Sequence, residues 1–167
     1  MAGDRIVYFA YGSNLHPGWL GRRVPSARVL GPASLPGHRL AFRKLGRDGS
    51  AKSDAEAAPG ASLPGAVYEM SAAHLGRLGA AEGGYLRVAV QVRTGAGVRE
   101  AFAYVARAEN HVTGLAPWDW YVALIRRGAE IHGLPESHRE WLAGVASAPD
   151  PDEARARLAL DVLRSGA

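Results

Sequence analysis

Residues 8–15, close to the start of the chain, have the sequence Tyr8-Phe9-Ala10-Tyr11-Gly12-Ser13-Asn14-Leu15. The apolar run from Arg5 to Tyr11 is rich in aromatic and β-branched residues, which predicts a buried strand. Gly12, Ser13 and Asn14 then predict a sharp turn, because these residue types let successive backbone N–H groups point toward one place. A concave set of amides suits an anion. The stretch therefore predicts a strand that ends in an anion-binding loop.

The composition is that of an ordinary globular protein. The chain has 167 residues, of which 47% are hydrophobic and 22% are charged, and we expect one domain spanning residues 1–167. Cysteine is absent, which excludes disulfides, thiol nucleophiles and cysteine-ligated zinc. No apolar run approaches a membrane span and the N-terminal residues lack an apolar signal segment. We therefore expect a soluble cytoplasmic protein with no membrane partner.

The net charge of +4 is carried almost entirely by scattered arginines, since Lys44 and Lys52 are the only lysines. Proteins that bind nucleic acid more often concentrate their cations in a stripe with interleaved aromatic residues. We therefore expect no nucleic-acid partner, although a modest positive potential can help to attract a small anionic substrate. The oligomeric state is left open.

Strand signals dominate the first two thirds of the chain. Tyr85 to Val92 alternates between two faces, and a Gly-containing turn leads to a second strand over 100–107, which predicts a hairpin. Ser71 is a predicted N-cap of a short helix before this hairpin. Further strands are predicted at residues 27–30, 39–43 and 66–70.

The segment from Gly46 to Gly65 is small, polar and interrupted by glycine and proline. These features predict a long surface loop. Lys52, which lies within it, is expected to be exposed.

The last third of the chain changes to helical periodicity. Pro117 is predicted at the first position of a helix that ends before Gly133, and Pro135 is predicted to open a second helix. Asp150-Pro151-Asp152-Glu153 resembles an N-cap, a first-turn proline and a capping-box glutamate of a final helix. Strands followed by helices predict an α+β fold, with a mostly antiparallel sheet curled into a small barrel and with flanking and C-terminal helices.

Common catalytic signatures are missing from the sequence. No Walker A loop, dinucleotide-binding glycine pattern or nucleophile elbow occurs. The histidines show no metal-ligand spacing, so we predict surface or packing roles for all of them and no metal or cofactor. They are His16, His38, His74, His111, His132 and His138.

One carboxylate stands in an unusual setting. Glu82 lies between a predicted helix and a predicted strand and is flanked by Ala81, Gly83 and Gly84. Glycine beside a carboxylate permits a tight turn and leaves room for a ligand. Taken alone, such a residue is more often an exposed loop acid, and a Gly-Ser-Asn stretch alone can be a plain turn. Only the two features together indicate a site.

Together with several further motifs in the same order, these features resemble the gamma-glutamylcyclotransferase-like family. The loop at 9–15 resembles the signature loop of that family. The other matching segments are 37–42, 63–69, 78–83, and the run that includes Tyr121, Gly128-Ala129 and His132-Gly133-Leu134-Pro135. The resemblance covers nearly the whole chain up to about Trp141.

The resemblance implies the family fold and the cyclising release of 5-oxoproline from a gamma-glutamyl amino acid or amine, a reaction of glutathione metabolism. Our hypothesis is that Glu82 acts as general base and then general acid while the substrate's own α-amino group attacks. The loop residues Tyr11, Gly12, Ser13, Asn14 and Leu15 are expected to bind the substrate, mainly by holding its α-carboxylate with backbone amides. Tyr121 corresponds to a family tyrosine near the substrate, but a core role is equally compatible with its helical position.

The sequence departs from the family pattern at one place. Gly79 stands where family members often carry aspartate, one residue after Leu78. This departure keeps open a non-catalytic alternative, namely a small-molecule-binding or interaction module of the same fold. A second alternative keeps the chemistry but changes the leaving group to an amine or a biosynthetic intermediate.

Overall fold

Strands occupy most of the first two thirds of the chain in the computed structural model, which describes residues 3–166. The strands are β1 (Arg5–Ala10), β2 (Arg28–Leu45), β3 (Ala51–Ser71), β4 (Tyr85–Thr94) and β5 (Gly97–Ala106). The α-helices are α1 (Pro17–Arg23), α2 (Leu75–Ala81), α3 (Asp119–Ile131), α4 (Glu136–Ala143) and α5 (Glu153–Arg164). Short 3-10 turns lie at Ser13–Leu15, Ala72–His74 and Ala108–Asn110.

The five strands form one curled sheet in the order β1-β3-β2-β4-β5. Neighbouring strands are antiparallel, except that β5 returns beside β1 in a parallel pairing at Tyr8 and Phe102. The pairing between β2 and β4 is also short and joins Ala33 and Ser34 to the end of β4. These short contacts close the sheet on itself. The predicted α+β fold with a mostly antiparallel, curled sheet is confirmed.

The prediction of a long surface loop over residues 46–65 is wrong. Only a tight turn separates β2 from β3, with the Gly46 amide donating to the Ser50 carbonyl at 2.8 Å, and β3 is 21 residues long. The predicted strands at 27–30 and 39–43 belong to a single strand, β2, whose register shifts at three places. Small residues do not prevent this ladder, because its hydrogen bonds come from the backbone and small side chains such as Ala51 and Ala55 fit the interior.

Two helix starts differ by a residue or two from the prediction. Helix α3 was predicted to begin at Pro117, but its N-cap is Trp118. The N-cap of α5 is Asp152, whose side chain accepts a hydrogen bond from the Arg155 amide at 3.1 Å. Pro151 therefore lies outside α5. Asp150 has a tertiary role, since it accepts hydrogen bonds from the Trp120 indole and the Arg155 guanidinium.

Helix α3 packs directly against the turn that follows β1. A Cβ at Gly128 would lie 2.8 Å from the Leu15 carbonyl carbon, so only glycine allows this approach. The imidazole of His132 and the hydroxyl of Tyr68 both bond to the Leu15 carbonyl oxygen, at 2.8 and 2.9 Å. Helix α3 and strand β3 thus hold the loop in place from two sides.

None of the helices among residues 3–166 combines the length and the apolar character that crossing a membrane requires.

Candidate functional site

The turn after β1 lines a small cavity together with Glu82. Gly12 precedes the 3-10 turn Ser13–Leu15 and offers no capping side chain to its amides. A Cβ at Gly12 would overlap the Ser53 hydroxyl of β3, so any side chain at this position would displace that hydroxyl. The start of the turn therefore has no side-chain cap among the described residues.

Glu82 follows the last turn of α2 and directs its carboxylate toward this loop. Its amide donates to the carbonyls of Leu78 and Gly79, both at 3.1 Å, which fixes the backbone at the helix end. Its side chain is only 14% exposed. The Asn14 side-chain amide donates to Glu82 Oε1 at 2.7 Å. The two features that the sequence singled out are in direct contact.

The orientation of Asn14 is determined by its other partners. Arg23 of α1 donates to Asn14 Oδ1 at 3.1 Å, so the nitrogen of the amide faces Glu82 and the Tyr8 hydroxyl. Arg23 also lies 3.8 Å from Glu82 Oε1. Asn14 therefore contributes its side chain to the site, in addition to the backbone amide that was predicted to bind substrate.

Burial raises the pKa of the Glu82 carboxyl above its ordinary value. Arg23, the hydrogen bond from Asn14 and the charge of Lys44 act in the opposite direction but do not cancel this effect. A raised pKa makes the carboxylate a stronger base, which favours the acceptance of a proton in general acid–base catalysis.

Two adjoining cavities meet at Glu82. The inner one has a volume of about 30 Å³ and is lined mainly by tyrosines and by the loop residues Tyr11, Gly12, Ser13 and Asn14. The other, which we call the outer cavity, has a volume of about 220 Å³. Ser13, Tyr85 and Tyr121 border both cavities.

Tyr121 of α3 lies at the junction of core and cavity. Its hydroxyl accepts a hydrogen bond from the Ser53 amide at 3.0 Å and lies 2.8 Å from the Ser53 hydroxyl. Its side chain belongs to the hydrophobic core and also borders the cavities. Both roles that the sequence allowed are compatible with this position, and a contact with substrate stays a prediction.

Leu15 differs from the other predicted loop residues. It is fully buried in the core and does not border either cavity. Its carbonyl is held by Tyr68 and His132, so the structure gives it a part in supporting the loop.

Comparisons with known proteins find relatives by sequence and by fold. The AIG2-like family model matches residues 62–142. A mouse protein named gamma-glutamylcyclotransferase is 26% identical over 174 residues, which cover 98% of this chain and 90% of the mouse protein. A solved structure of a gamma-glutamyl cyclotransferase has a TM-score of 0.80 at 25% identity and covers 92% of this chain and 99% of its own. These similarities in sequence and fold support a relationship to the gamma-glutamylcyclotransferase-like family. A human protein described as uncharacterized has the same fold, with a TM-score of 0.79, 26% identity, and coverage of 92% of this chain and 98% of its own.

The departure from the family pattern lies in α2, just before the glutamate. A Cβ at Gly79 would be 3.7 Å from the Tyr104 hydroxyl, which is an ordinary contact distance. The space around this position therefore does not require glycine. The Gly79 carbonyl still holds the Glu82 amide, so the position of Glu82 at the helix end does not depend on an aspartate side chain.

Both lysines of the chain line the outer cavity, and the prediction that Lys52 is exposed is wrong. Its side chain is 15% exposed and its ammonium lies 2.7 Å from Asp48 Oδ2 and 4.5 Å from the centre of the Tyr121 ring. Lys44 donates to the Gly83 carbonyl at 2.7 Å and lies 4.8 Å from the centre of the Tyr85 ring. The rarity of lysine in this arginine-rich chain is the one sequence feature that could have singled out these two positions.

Sequence reasoning also missed Arg23 and Ser53, which contact the predicted residues Asn14 and Tyr121. Neither lies in a motif, and both reach the site through the packing of α1 and β3.

Two of the histidines have the packing roles that were predicted for them. His16 is buried and caps α1 with its side chain, while His132 supports the loop. No group of potential metal ligands is found within residues 3–166.

Proposed function

We propose that the protein is a gamma-glutamyl cyclotransferase that releases 5-oxoproline from a gamma-glutamyl amino acid or amine, with Glu82 as the general acid/base. The observation that carries this proposal is the contact between the loop and the buried carboxylate, in which Asn14 Nδ2 lies 2.7 Å from Glu82 Oε1. The loop and a carboxylate of raised pKa border the same cavity, which supports the proposal.

The reaction needs little beyond a proton carrier and correct positioning. The α-amino nitrogen attacks the γ-carbonyl carbon of the same molecule, so a C–N bond closes the lactam ring while the original amide C–N bond breaks. The α-ammonium loses two protons in all and the leaving nitrogen gains two, so no water is consumed. Glu82 takes a proton from the ammonium and returns a proton to the leaving nitrogen.

The loop supplies the positioning. We assign the backbone amides around Gly12, Ser13 and Asn14 to the substrate's α-carboxylate, with Tyr11 as a wall of the cavity and Tyr121 as a further contact. An amide at the site can also stabilise the negative charge that develops on the γ-carbonyl oxygen. This placement brings the α-nitrogen toward Glu82, because the α-carboxylate and the α-nitrogen are attached to the same carbon atom.

The direct test is a screen of gamma-glutamyl compounds with the purified protein, with 5-oxoproline release as the measurement. The screen contains gamma-glutamyl amino acids, neutral gamma-glutamyl amides and glutathione. Release from at least one class is expected. If several compounds bind but none releases 5-oxoproline, the protein is better described as a non-catalytic binding module. The glycine at position 79 is the reason for considering this alternative.

The Arg23→Gln variant tests the charge state of Glu82. Arg23 favours the ionised carboxylate, so its removal raises the pKa of Glu82 further. Because the ionised form is the base, activity is lost as the pH falls through this pKa. The acid limb of the pH profile of kcat/KM is therefore expected to move to higher pH.

Arg22→Gln is the matched control for this measurement. Arg22 and Arg23 both lie over the Trp19 ring, at 5.8 and 5.4 Å from its centre, but Arg23 is the one of the two that pairs with Glu82. Superimposable acid limbs in the Arg23→Gln variant and the wild type would contradict the assignment of Glu82 as the titrating base.

A further inference from the structure

The turn that follows Glu82 consists of two glycines, Gly83 and Gly84, against which distant side chains pack closely. A Cβ at Gly84 would lie 2.8 Å from Lys44 Cε and 3.0 Å from Asn110 Nδ2. The φ angle of Gly84 is +85°, a conformation that glycine adopts without strain. The backbone next to the carboxylate therefore leaves no room for a side chain of its own and is covered by Lys44 and Asn110.

Lys44 and Asn110 also bind the carbonyl groups of this turn, and we call the two side chains the turn clamp. Lys44 Nζ donates to the Gly83 carbonyl at 2.7 Å. Asn110 Nδ2 donates to the Gly84 carbonyl at 3.0 Å. Two consecutive carbonyls directly after Glu82 are thus each held by a side chain that is far away in sequence.

The two members of the turn clamp come from segments that are joined to each other. Lys44 lies near the end of β2, and Asn110 lies in the last of the short 3-10 turns. Lys44 forms an antiparallel bridge with His111, and the Val112 amide donates to the Arg43 carbonyl at 2.7 Å. The backbone therefore fixes the turn clamp independently of the turn that it holds.

Lys44 also acts on Glu82 through its charge. Its side chain is buried, and its ammonium lies 4.8 Å from the centre of the Tyr85 ring. Burial raises the pKa of the Glu82 carboxyl, while the charge of Arg23, the hydrogen bond from Asn14 and the charge of Lys44 act in the opposite direction. A buried charge is screened less by salt than an exposed one, so this effect persists at physiological ionic strength.

The charge of Lys44 is in turn set by its surroundings. Burial lowers the pKa of the ammonium, and Arg47 acts in the same direction. Glu82 and Asp48 raise it. Lys44 and Glu82 thus favour each other's ionised form.

We propose that Lys44 and Asn110 are positioning residues for Glu82, which hold the turn that carries its carboxylate, and that Lys44 in addition favours the ionised form. This inference rests on the proposed function, because it concerns the group to which the proton transfer is assigned. A general base must lie within hydrogen-bond reach of the proton that it takes, and a displacement of about 1 Å can cost about 10²-fold in rate.

The variants Lys44→Met and Asn110→Leu separate position from charge. Each removes one donor to the turn at similar side-chain size, but only Lys44→Met removes a charge. Both are expected to lower kcat by about 10- to 100-fold with little change in KM. The acid limb of the pH profile should move to higher pH in Lys44→Met alone, because the pKa of Glu82 rises when the charge of Lys44 is lost.

Arg99→Met is the matched control for the loss of a positive charge. Arg99 is exposed on β5 and does not line either cavity. Its replacement should leave kcat, KM and the acid limb at their wild-type values.

Two measurements that need no turnover separate this inference from the proposed function. The Tyr85 amide donates to the Glu82 carbonyl at 3.2 Å, so its hydrogen exchange reports on the turn and should accelerate by about 10-fold or more in both variants. A ¹³C NMR titration should show the Glu82 carboxyl titrating at higher pH in Lys44→Met and at its wild-type pH in Asn110→Leu.

The outcomes distinguish the two proposals. Wild-type kcat and wild-type exchange of the Tyr85 amide in both variants would overturn the positioning role and leave the proposed function intact. A folded Lys44→Met protein with an unchanged Glu82 titration would overturn the role of its charge. If the wild type releases no 5-oxoproline while exchange still accelerates in both variants, the proposed function fails and the turn clamp stands as a feature of the fold. Should Lys44→Met not fold, Asn110→Leu still tests the hold on the turn through kcat and exchange.

Discussion

Glu82→Gln is expected to slow the release of 5-oxoproline at saturating substrate by about 10²- to 10⁴-fold. Glutamine keeps the size of the side chain, and its carbonyl oxygen can still accept the hydrogen bond from Asn14, which is 2.7 Å long in the wild type. It cannot accept a proton from the substrate's α-ammonium. The loss should therefore appear in the turnover rate more than in substrate binding, and steady-state kinetics with calorimetric binding measures both.

Glu109→Gln is the control for this variant. Glu109 is exposed in the short turn Ala108–Asn110 and lies outside both cavities, so its replacement removes one carboxylate without touching the site. Glu109→Gln is expected to have wild-type kinetics. A Glu82→Gln protein that is correctly folded and releases 5-oxoproline at the wild-type rate would exclude Glu82 as the proton carrier.

Gly128→Ala is expected to damage stability and activity together. An alanine Cβ would lie 2.8 Å from the Leu15 carbonyl carbon and 2.9 Å from the His16 nitrogen, and these backbone atoms cannot rotate away as a side chain can. Overpacking of this kind costs about 1–3 kcal/mol in the free energy of unfolding, which outweighs the gain of up to about 1 kcal/mol that alanine has over glycine in a helix. Relief of the collision moves the loop that precedes α1, so 5-oxoproline release should fall as well.

Gly76→Ala provides the matched comparison for Gly128→Ala. Gly76 lies in α2, and a Cβ at this position would have nothing within 4 Å. Alanine at this position therefore changes stability only through its higher helix propensity. Urea unfolding should show Gly76→Ala to be as stable as the wild type or slightly more stable. If Gly128→Ala also matched the wild type in unfolding and in activity, close packing of α3 would not be what holds the loop.

The charges at the site form one connected arrangement. Arg23 stabilises the ionised form of Glu82 and orients Asn14, while Lys44 holds the turn at Gly83. On the outer side, Lys52 is occupied by Asp48, and burial lowers the pKa of its ammonium. These pairings compensate the acids, while Arg47 and Lys44 line the cavity with no ion pair to a carboxylate among residues 3–166.

Local sequence was sufficient for features that depend on neighbouring residues. The turn at Gly12-Ser13-Asn14, the β4–β5 hairpin and the helical last third follow from backbone preferences and from periodicity, and the structure confirms them. The segment 51–65 could not be predicted in this way, because its strand is stabilised by pairing with β2 and its own small residues carry no strand signal.

Sequence motifs also selected Glu82 and the loop, but they left the contact between them to the tertiary structure. Asn14 and Glu82 are 68 positions apart, and the hydrogen bond between them exists because α1, α2 and the curled sheet bring their ends to one cavity. Arg23, Lys44 and Arg47 reach the same place from segments with no motif of their own. Turns depend on neighbouring residues and can therefore be predicted from the sequence. The burial that raises the pKa of Glu82, and the charges that act against it, arise only when distant segments pack together.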